Sequence, residues 1–544
     1  MTYSAITNIA SHLPRMAQLQ PGTTAIIFPQ GNQRLTFQEL DRLSDRICHG
    51  LVAHGISQGT RTVLMVTPSP EFFALTFALF KVGAVPVLVD PGLGIKNLKK
   101  CLAEAQPTAF IGIPKAQVAR LLFGWAKDSL KTIITVGPRL FWGGTSLEKL
   151  IKQSPDQPFE MAATQADDQA AILFTSGSTG PPKGAVYNHG NFTAQVDALK
   201  TVYKIQPGEI DLPTFPLFAL FAPALGMTAV IPEMDFTRPG SVDPNKIIGA
   251  ITNHKVTTMF GSPALINRVG RYGAEHNVKL PTLKRVISAG APVPATVLER
   301  FSRMLQPDVE IFTPYGATES LPVCSIGSSE ILGETSAMTD QGAGVCIGKP
   351  VMGIRAEIIR ITDAPITTWD DSLKVTDGEV GEIVVQGPQV TSGYFQRPEA
   401  DRLSKIIDPA GGFFHRMGDL GRRDSQGRLW FCGRKSHRVE SSQGPLFTIP
   451  VEAVFNTHPL VFRSALVGIG PQGNQQPVIC IELEKGITTN QEQLRTELLA
   501  LASEHPHTNS ISTILFHRAF PVDIRHNAKI FREKLAIWAE EQIR

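Results

Sequence analysis

The stretch Leu173-Phe-Thr-Ser-Gly-Ser-Thr-Gly-Pro-Pro-Lys-Gly-Ala185 decides how the rest of the chain is read. The apolar run Ala170 to Phe174 has the length and composition of a buried strand. It opens into Thr175, Ser176, Gly177, Ser178, Thr179 and Gly180, and then reaches Lys183. Glycines let backbone N–H groups converge on an anion, because no Cβ blocks the approach. Hydroxyls add donors and the lysine adds a mobile positive charge. The combination suits a polyphosphate. It is not a Walker A loop, where Gly-Lys-Ser/Thr run in direct succession. Here Pro181 and Pro182 place the lysine on a stiff arm. A plain surface loop has similar composition, so the loop alone does not settle a function.

Working outward, strand-like and helix-like segments alternate. Residues 24–29 read as a strand. Thr36 and Glu39 have capping-box spacing ahead of a helix carrying Leu40, Leu43, Ile47 and Leu51. Residues 61–66 read as a strand, 71–82 as a helix and 84–89 as a strand. Strand signals return at 108–113, 132–136, 257–260, 285–288 and 310–313. This is the pattern of an α/β protein with mostly parallel sheets. Residues 355–386 change character: Arg355 to Ile361 and Glu382 to Gln386 read as paired strands of a small antiparallel or barrel-like subdomain. Lys435-Ser-His-Arg438 reads as a linker, and the last hundred or so residues as a small α+β domain.

The chain has 544 residues, 42% hydrophobic and 19% charged, too many for one ordinary core and too apolar for disorder. A net charge of +3 gives no case for nucleic acid. Cys48, Cys101, Cys324, Cys346, Cys432 and Cys480 are scattered, without a zinc-like cluster, which fits a reducing, cytoplasmic setting. The N-terminus lacks a signal-peptide core. The most membrane-like run, 215–232, is broken by Pro216, Pro223, Gly226 and Pro232, so no transmembrane segment is expected.

Further stretches stand in a fixed order: Ser288-Ala-Gly-Ala-Pro-Val293, Thr313-Pro-Tyr-Gly-Ala-Thr-Glu-Ser320, Met417-Gly-Asp-Leu-Gly-Arg422, Gly433-Arg434 and Arg525-His-Asn-Ala-Lys-Ile-Phe-Arg532. Singly, each has an ordinary reading as a turn or surface segment. With Gly378-Glu-Val-Gly-Glu-Ile383 and Gly393-Tyr394, their order resembles the adenylate-forming superfamily of acyl-CoA synthetases, peptide-synthetase adenylation domains and luciferases. That resemblance implies a large N-terminal adenylating domain, residues 1–435, of layered sheets and helices plus the barrel-like subdomain. It implies a small mobile lid at residues 436–544, with Ser436 at the hinge.

The resemblance also implies roles. Thr175 to Gly180 and Lys183 would hold the ATP β- and γ-phosphates. Gly290, Ala291 and Pro292 would line the adenine and Tyr315 would stack on it. Thr318 would contact the α-phosphate, Glu319 would bind Mg²⁺, Asp419 and Arg434 would hold the ribose, and Lys529 would reach the α-phosphate. Such a site joins a carboxylate oxygen to the α-phosphorus and releases pyrophosphate. Mg²⁺ and Lys529 would stabilise the growing negative charge. Lys529 lies far from the phosphate loop in sequence, so a lid must bring it in.

Four departures bear on the next step. Ala219 stands at about the place of a family histidine. Met417 replaces a threonine. The glycine hairpin after the hinge is recast as residues 438–450. The lysine loop reads Arg525-His-Asn-Ala-Lys529. With Val186-Tyr-Asn-His-Gly-Asn-Phe192, these features resemble one branch, the β-lactone synthetases of bacterial long-chain olefin biosynthesis. That branch implies adenylation of a small-molecule 2-alkyl-3-hydroxy fatty acid, then attack by its own 3-hydroxyl to give a β-lactone and AMP. It also leaves room for assembly with other lipid-pathway enzymes. The alternative is a long-chain fatty acyl-CoA or acyl-AMP ligase. A scaffolding subunit and a P-loop kinase fit the retained residues and the glycine–lysine spacing less well. His189 and His437 are the candidate bases for the hydroxyl, each with a plainer structural or surface reading. Phe215, Leu217, Phe218, Leu220, Phe221, Leu225 and Met227, with Met259, Phe260 and Leu321, are read as the wall of an acyl pocket, with core packing the equal alternative.

Overall fold

The structure, a computed structural model, describes residues 7–175, 181–484, 486–487, 489–522 and 530–543. The chain forms a large N-terminal assembly of two extended sheets with their helices, followed by a small α+β C-terminal domain. The first sheet runs in the order Gly393–Tyr394, Lys183–Asn188, Gln169–Thr175, Val85–Val89, Arg61–Met65, Ala109–Gly112, Thr132–Thr135 and Thr145–Ser146. From Gln169–Thr175 outward it is parallel, while Lys183–Asn188 folds back antiparallel. The phosphate-loop stretch therefore links two paired strands, with Lys183 opposite Thr175.

The helix Phe37–Ala53 begins at the capping box read from sequence. Thr36 Oγ1 accepts from Glu39 N, and Glu39 Oε2 accepts from Thr36 N. Ser69 caps the Pro70–Lys81 helix, with Pro70 in the first turn where no N–H is needed. That helix is apolar almost all round and buried all round. Its one cation, Lys81, is 2% exposed and paired with Asp41 at 2.6 Å and Asp45 at 2.5 Å. Burial raises the Asp45 carboxyl, against the pull of Lys81.

The second sheet joins two kinds of pairing. Strands Glu310–Ala317, Arg285–Ile287, Thr258–Phe260, Ile210–Pro213, Thr228–Val230 and Thr24–Phe28 lie parallel. Beyond Glu310–Ala317 the sheet turns antiparallel through Ser320–Gly327, Val345–Pro350, Leu429–Arg434, Phe413–Arg423, Gly381–Gln386 and Arg355–Ile359. The small antiparallel unit expected from residue 355 onward is thus the far end of the same hydrogen-bonded path.

One boundary differs from the sequence reading. Thr313 to Ala317 is not a turn after a strand but its continuation. Tyr315 pairs with Cys324, and Ala317 with Ser320. Thr318 and Glu319 form the tip of the hairpin. The apolar alternation of the return strand, with Val323, Cys324 and Ile326 buried, extends the ladder past the polar residues that suggested a loop.

At the start of the chain, Asn8 Nδ2 donates to Phe80 O at 2.9 Å, and Ile9 N donates to His189 Nδ1 at 3.2 Å. The C-terminal domain has a three-stranded sheet, Val461–Ile469, Gln476–Leu483 and Thr513–Phe516, with helices Thr448–Asn456, Gln491–Ser503 and Arg532–Ile543. The segment before it is pinned rather than loose. Lys435 pairs with Glu382 at 3.2 Å, and Arg438 with Asp363 at 2.6 Å. Residues 438–450 contain a hairpin, Val439–Ser441 with Gly444–Leu446. Among the described residues no helix is long and apolar enough to cross a membrane. Residues 215–232 form two short helices and one strand.

Candidate active site

The candidates Ser176, Gly177, Ser178, Thr179, Gly180 and Lys529 lie outside the described residues, as does the Thr175 side chain. The others gather around one cavity of about 3050 Å³. Lys183, Gly290, Ala291, Pro292, Tyr315, Thr318, Glu319, Asp419 and Arg434 all line it. They come from three places: the start of the Lys183–Asn188 strand in the first sheet, the C-terminal ends of strands in the second, and the antiparallel extension. Crevices at strand ends are the usual ligand sites of α/β sheets.

Asp419 and Arg434 are direct cross-strand partners, and Arg434 Nη1 lies 2.9 Å from Asp419 Oδ1. The Tyr315 hydroxyl donates to Asp419 Oδ2 at 2.6 Å. Burial pushes the Asp419 carboxyl up, with Arg434 and the Tyr315 hydrogen bond opposing. The Tyr315 phenol is driven well above its ordinary value by enclosure and then by the Asp419 charge. Gly290 has φ +102°, a conformation glycine adopts at little cost, which lets the backbone turn beside the cavity.

Glu319 is held by a residue whose motif was visible in sequence but whose task was not. The Tyr394 hydroxyl donates to Glu319 Oε1 at 2.8 Å, and Lys183 Nζ sits 4.9 Å from the centre of the Tyr394 ring. Tyr394 thus joins the phosphate-loop lysine to the candidate metal carboxylate. Burial and the Glu319 charge raise its phenol above the ordinary range. Two further groups close this corner. Lys405 donates to Thr391 O, and burial brings its amine down to about 7, with Asp401 and Glu319 opposing. His415 is 2% exposed and falls well below its ordinary value through burial and the charges of Lys405 and Lys183. A lone lysine and a lone histidine carry no sequence signal for such a place.

One carboxylate without a cluster fits Mg²⁺, which keeps waters and substrate phosphates as most of its ligands. Among the described residues no group of three His, Cys, Asp or Glu residues stands ready for a metal, so the site does not suit a cation needing an all-protein cage.

The residues read equally as acyl wall or as core prove to be both, with Leu225 and Met227 buried in the core cluster that backs the cavity. Phe215, Leu217, Phe218, Leu220, Phe221, Leu225, Met227, Phe260 and Leu321 line the cavity. Met259 does not; it is fully buried in the core on the other face of the second sheet, because neighbouring strand residues point to opposite faces. Ala219 also turns away from the cavity, 1% exposed in the core, between lining residues Phe218 and Leu220. His189 is fully buried and accepts from Ile9, with burial bringing its imidazole down to about 4. That is a packing role. His437 lines the cavity. A second wall was missed: Phe72, Phe77 and Phe80 from one helix, and Phe192, Val196 and Leu199 from another.

The chain is 51% identical to the olefin beta-lactone synthetase of Xanthomonas campestris pv. campestris, over 99% of this chain and 98% of that protein. It is 50% identical to the olefin beta-lactone synthetase of Stenotrophomonas maltophilia, over 98% of each. Among solved structures, the amide bond synthetase McbA from Marinactinospora thermotolerans superposes with a TM-score of 0.81 at 22% identity, covering 98% of this chain and 99% of that one. ATP-bound MatB from Rhodopseudomonas palustris gives 0.79 at 21% identity, covering 99% and 100%. These two bear on the fold. The AMP-binding enzyme family matches residues 13–395, well over half the chain, and the chain belongs to that family.

Proposed function

We propose that this chain is an AMP-forming ligase that converts a 2-alkyl-3-hydroxy fatty acid to a β-lactone, in olefin hydrocarbon biosynthesis. One observation carries the reading. A single cavity of about 3050 Å³ runs from the Thr318–Glu319 tip into two aromatic-rich apolar walls. Ligand pockets for drug-sized molecules are about 300–1,000 Å³. The cavity also takes in the nucleotide candidates and the face of the C-terminal domain at Thr448, Glu452 and Arg532, so it is the two apolar walls that suit an acid with two alkyl chains. The half-identical relatives bear the matching name.

In this reading ATP enters with its ribose on Asp419 and Arg434, its adenine along Gly290 to Pro292 and Tyr315, and its phosphates toward Lys183. Mg²⁺ would be held by Glu319 and would neutralise phosphate charge. Tyr394 fixes the Glu319 carboxylate by hydrogen bonding. The carboxylate of the acid attacks the α-phosphorus beside Thr318, and pyrophosphate leaves. The 3-hydroxyl oxygen then bonds to the acyl carbon while the bond from that carbon to the phosphate oxygen breaks. AMP departs with the electron pair, and the hydroxyl proton ends on its phosphate. The nucleophile is tethered, so the step depends on orientation rather than on a second substrate.

The division into an adenylating domain, residues 1–435, and a lid, residues 436–544, belongs to the same reading. Lys435 and Arg438 hold the chain on either side of Ser436. Rotation there would carry Lys529 to and from the α-phosphate. Six cysteines, all free and buried, fit a cytoplasmic setting. Receipt of the acid from neighbouring enzymes of the lipid pathway fits its poor solubility.

The test is incubation with ATP, Mg²⁺ and a racemic 2-alkyl-3-hydroxy acid, with products identified by mass spectrometry and NMR. The expected products are pyrophosphate, AMP and β-lactone, with or without CoA. Acyl-CoA formed in the presence of CoA, and no lactone, would establish a fatty acyl-CoA ligase instead.

A further inference from the structure

Gln195 is a polar side chain in an otherwise apolar wall. It is 5% exposed, on the cavity face of the His189–Val202 helix, between lining residues Phe192, Val196 and Leu199. Its side-chain amide donates to Tyr187 Oη at 3.5 Å. Tyr187 also lines the cavity, and its hydroxyl donates to the backbone carbonyl of Thr318 at 2.5 Å. The Tyr187 ring is held in a stack on Phe192, centroids 4.6 Å apart. A two-step hydrogen-bonded chain therefore leads from the acyl wall to the residue beside the α-phosphate.

The Tyr187 proton goes to Thr318 and one Gln195 N–H goes to Tyr187. What the pair offers the cavity is two acceptors, the Gln195 side-chain oxygen and the remaining Tyr187 lone pair, beside the second Gln195 N–H. Polar atoms in an apolar wall are costly unless something bonds to them. A plain alkyl chain supplies no donor. A hydroxyl two carbons from the carboxyl carbon supplies one.

We propose that Gln195 and Tyr187 form the subsite for the substrate's 3-hydroxyl. This rests on the functional reading above and adds the group that distinguishes its substrate. Accepting the hydroxyl proton in a hydrogen bond turns the oxygen's other lone pairs toward the acyl carbon, which is the orientation ring closure needs. Gln195 takes no proton; its part is to hold the hydroxyl in one rotamer. Tyr187, whose phenol is raised above its ordinary range by burial, stays protonated throughout.

The experiment compares kcat/KM for pyrophosphate release on two acids, a 2-alkyl-3-hydroxy acid and the same acid without the hydroxyl. Wild type, Gln195→Met and Tyr187→Phe are measured, with lactone yield as a second readout. The wild type is expected to prefer the hydroxy acid. That preference is expected to fall about tenfold in Gln195→Met, the scale of one lost hydrogen bond. Tyr187→Phe is expected to reduce it in the same direction and serves if Gln195→Met does not fold. A wild type without preference, or an equal preference in wild type and variants, overturns the inference. A wild type that prefers and adenylates the hydroxy acid but closes no lactone refutes the functional reading while leaving the subsite in place.

Discussion

The phenol of Tyr315 and the carboxylate of Asp419 meet at 2.6 Å, although 104 positions separate them in sequence. Tyr315 belongs to the strand that ends the parallel part of the second sheet. Asp419 belongs to its antiparallel extension. The bond fixes the spacing between the proposed base-stacking ring and the proposed ribose carboxylate. Tyr315→Phe keeps the ring and removes the bond. The expected result is a several-fold rise in KM for ATP, because ring and carboxylate lose their fixed spacing, with kcat changed much less. An ATP titration of pyrophosphate release reads this. A fall in kcat at unchanged KM would contradict it.

Tyr394 restrains Glu319 through a hydrogen bond to one carboxylate oxygen. Tyr394→Phe frees that oxygen and lets the carboxylate rotate. The Mg²⁺ concentration giving half-maximal pyrophosphate release is expected to rise several-fold. Glu319→Gln is expected to lower the maximum rate on the order of 100-fold, as loss of a main electrostatic stabiliser does. A metal titration of both variants separates the two effects. Identical Mg²⁺ dependence in wild type and Tyr394→Phe would remove Tyr394 from this role.

In the C-terminal domain, Arg532 reaches both oxygens of Glu452 at 2.6 Å, and Glu452 also accepts from Leu466 N at 2.9 Å. Glu452 is 5% exposed. Breaking a buried pair from one side costs about 3–5 kcal/mol, because the other charge is left without its partner. Glu452→Gln is therefore expected to lower the unfolding midpoint of the C-terminal domain. Arg532 lies three residues after Lys529 in sequence, so pyrophosphate release is expected to fall as well. Calorimetry and the release assay check the two halves separately.

His189 gives a pH dependence with a definite sign. Its folded pKa, about 4, lies below the ordinary 6.5 because burial disfavours the charged ring. A depressed folded pKa means stability fully present above the unfolded value and lost as pH falls toward the folded one. Between pH 6.5 and 4 the unfolded chain takes up a proton that the folded chain refuses. The full difference corresponds to about 3 kcal/mol. His189→Asn places an amide oxygen where Nδ1 accepts from Ile9. It is expected to flatten stability against pH in that window. Urea midpoints at pH 7 and pH 5 measure it, and equal slopes for wild type and variant would refute it.

Local signals were legible where chemistry and geometry are local. The Thr36–Glu39 capping box and the alternation of strands and helices needed only neighbouring residues, and the structure shows both. The Thr318–Glu319 tip was found by motif, yet its strand was cut short, because pairing with Ser320–Gly327 depends on a partner that a window ending at Thr313 does not contain. Lys405, His415 and Gln195 were illegible for a different reason. Each is a common polar residue made distinctive only by burial against distant segments. Met259 was misplaced because a one-residue step along a strand turns a side chain from cavity to core.

The contact of Ile9 with His189 has a consequence for substrate length. Ile9 lines the same cavity as Phe80 and Phe192, so the Asn8–Ile9 segment is part of the wall of the proposed acyl chamber. It is seated by hydrogen bonds from Asn8 and Ile9. Loosening that seat, as Asn8→Ala would by removing the bond to Phe80, would let the wall give way to longer acids, and the chain-length cut-off would blur without any change at the reacting end.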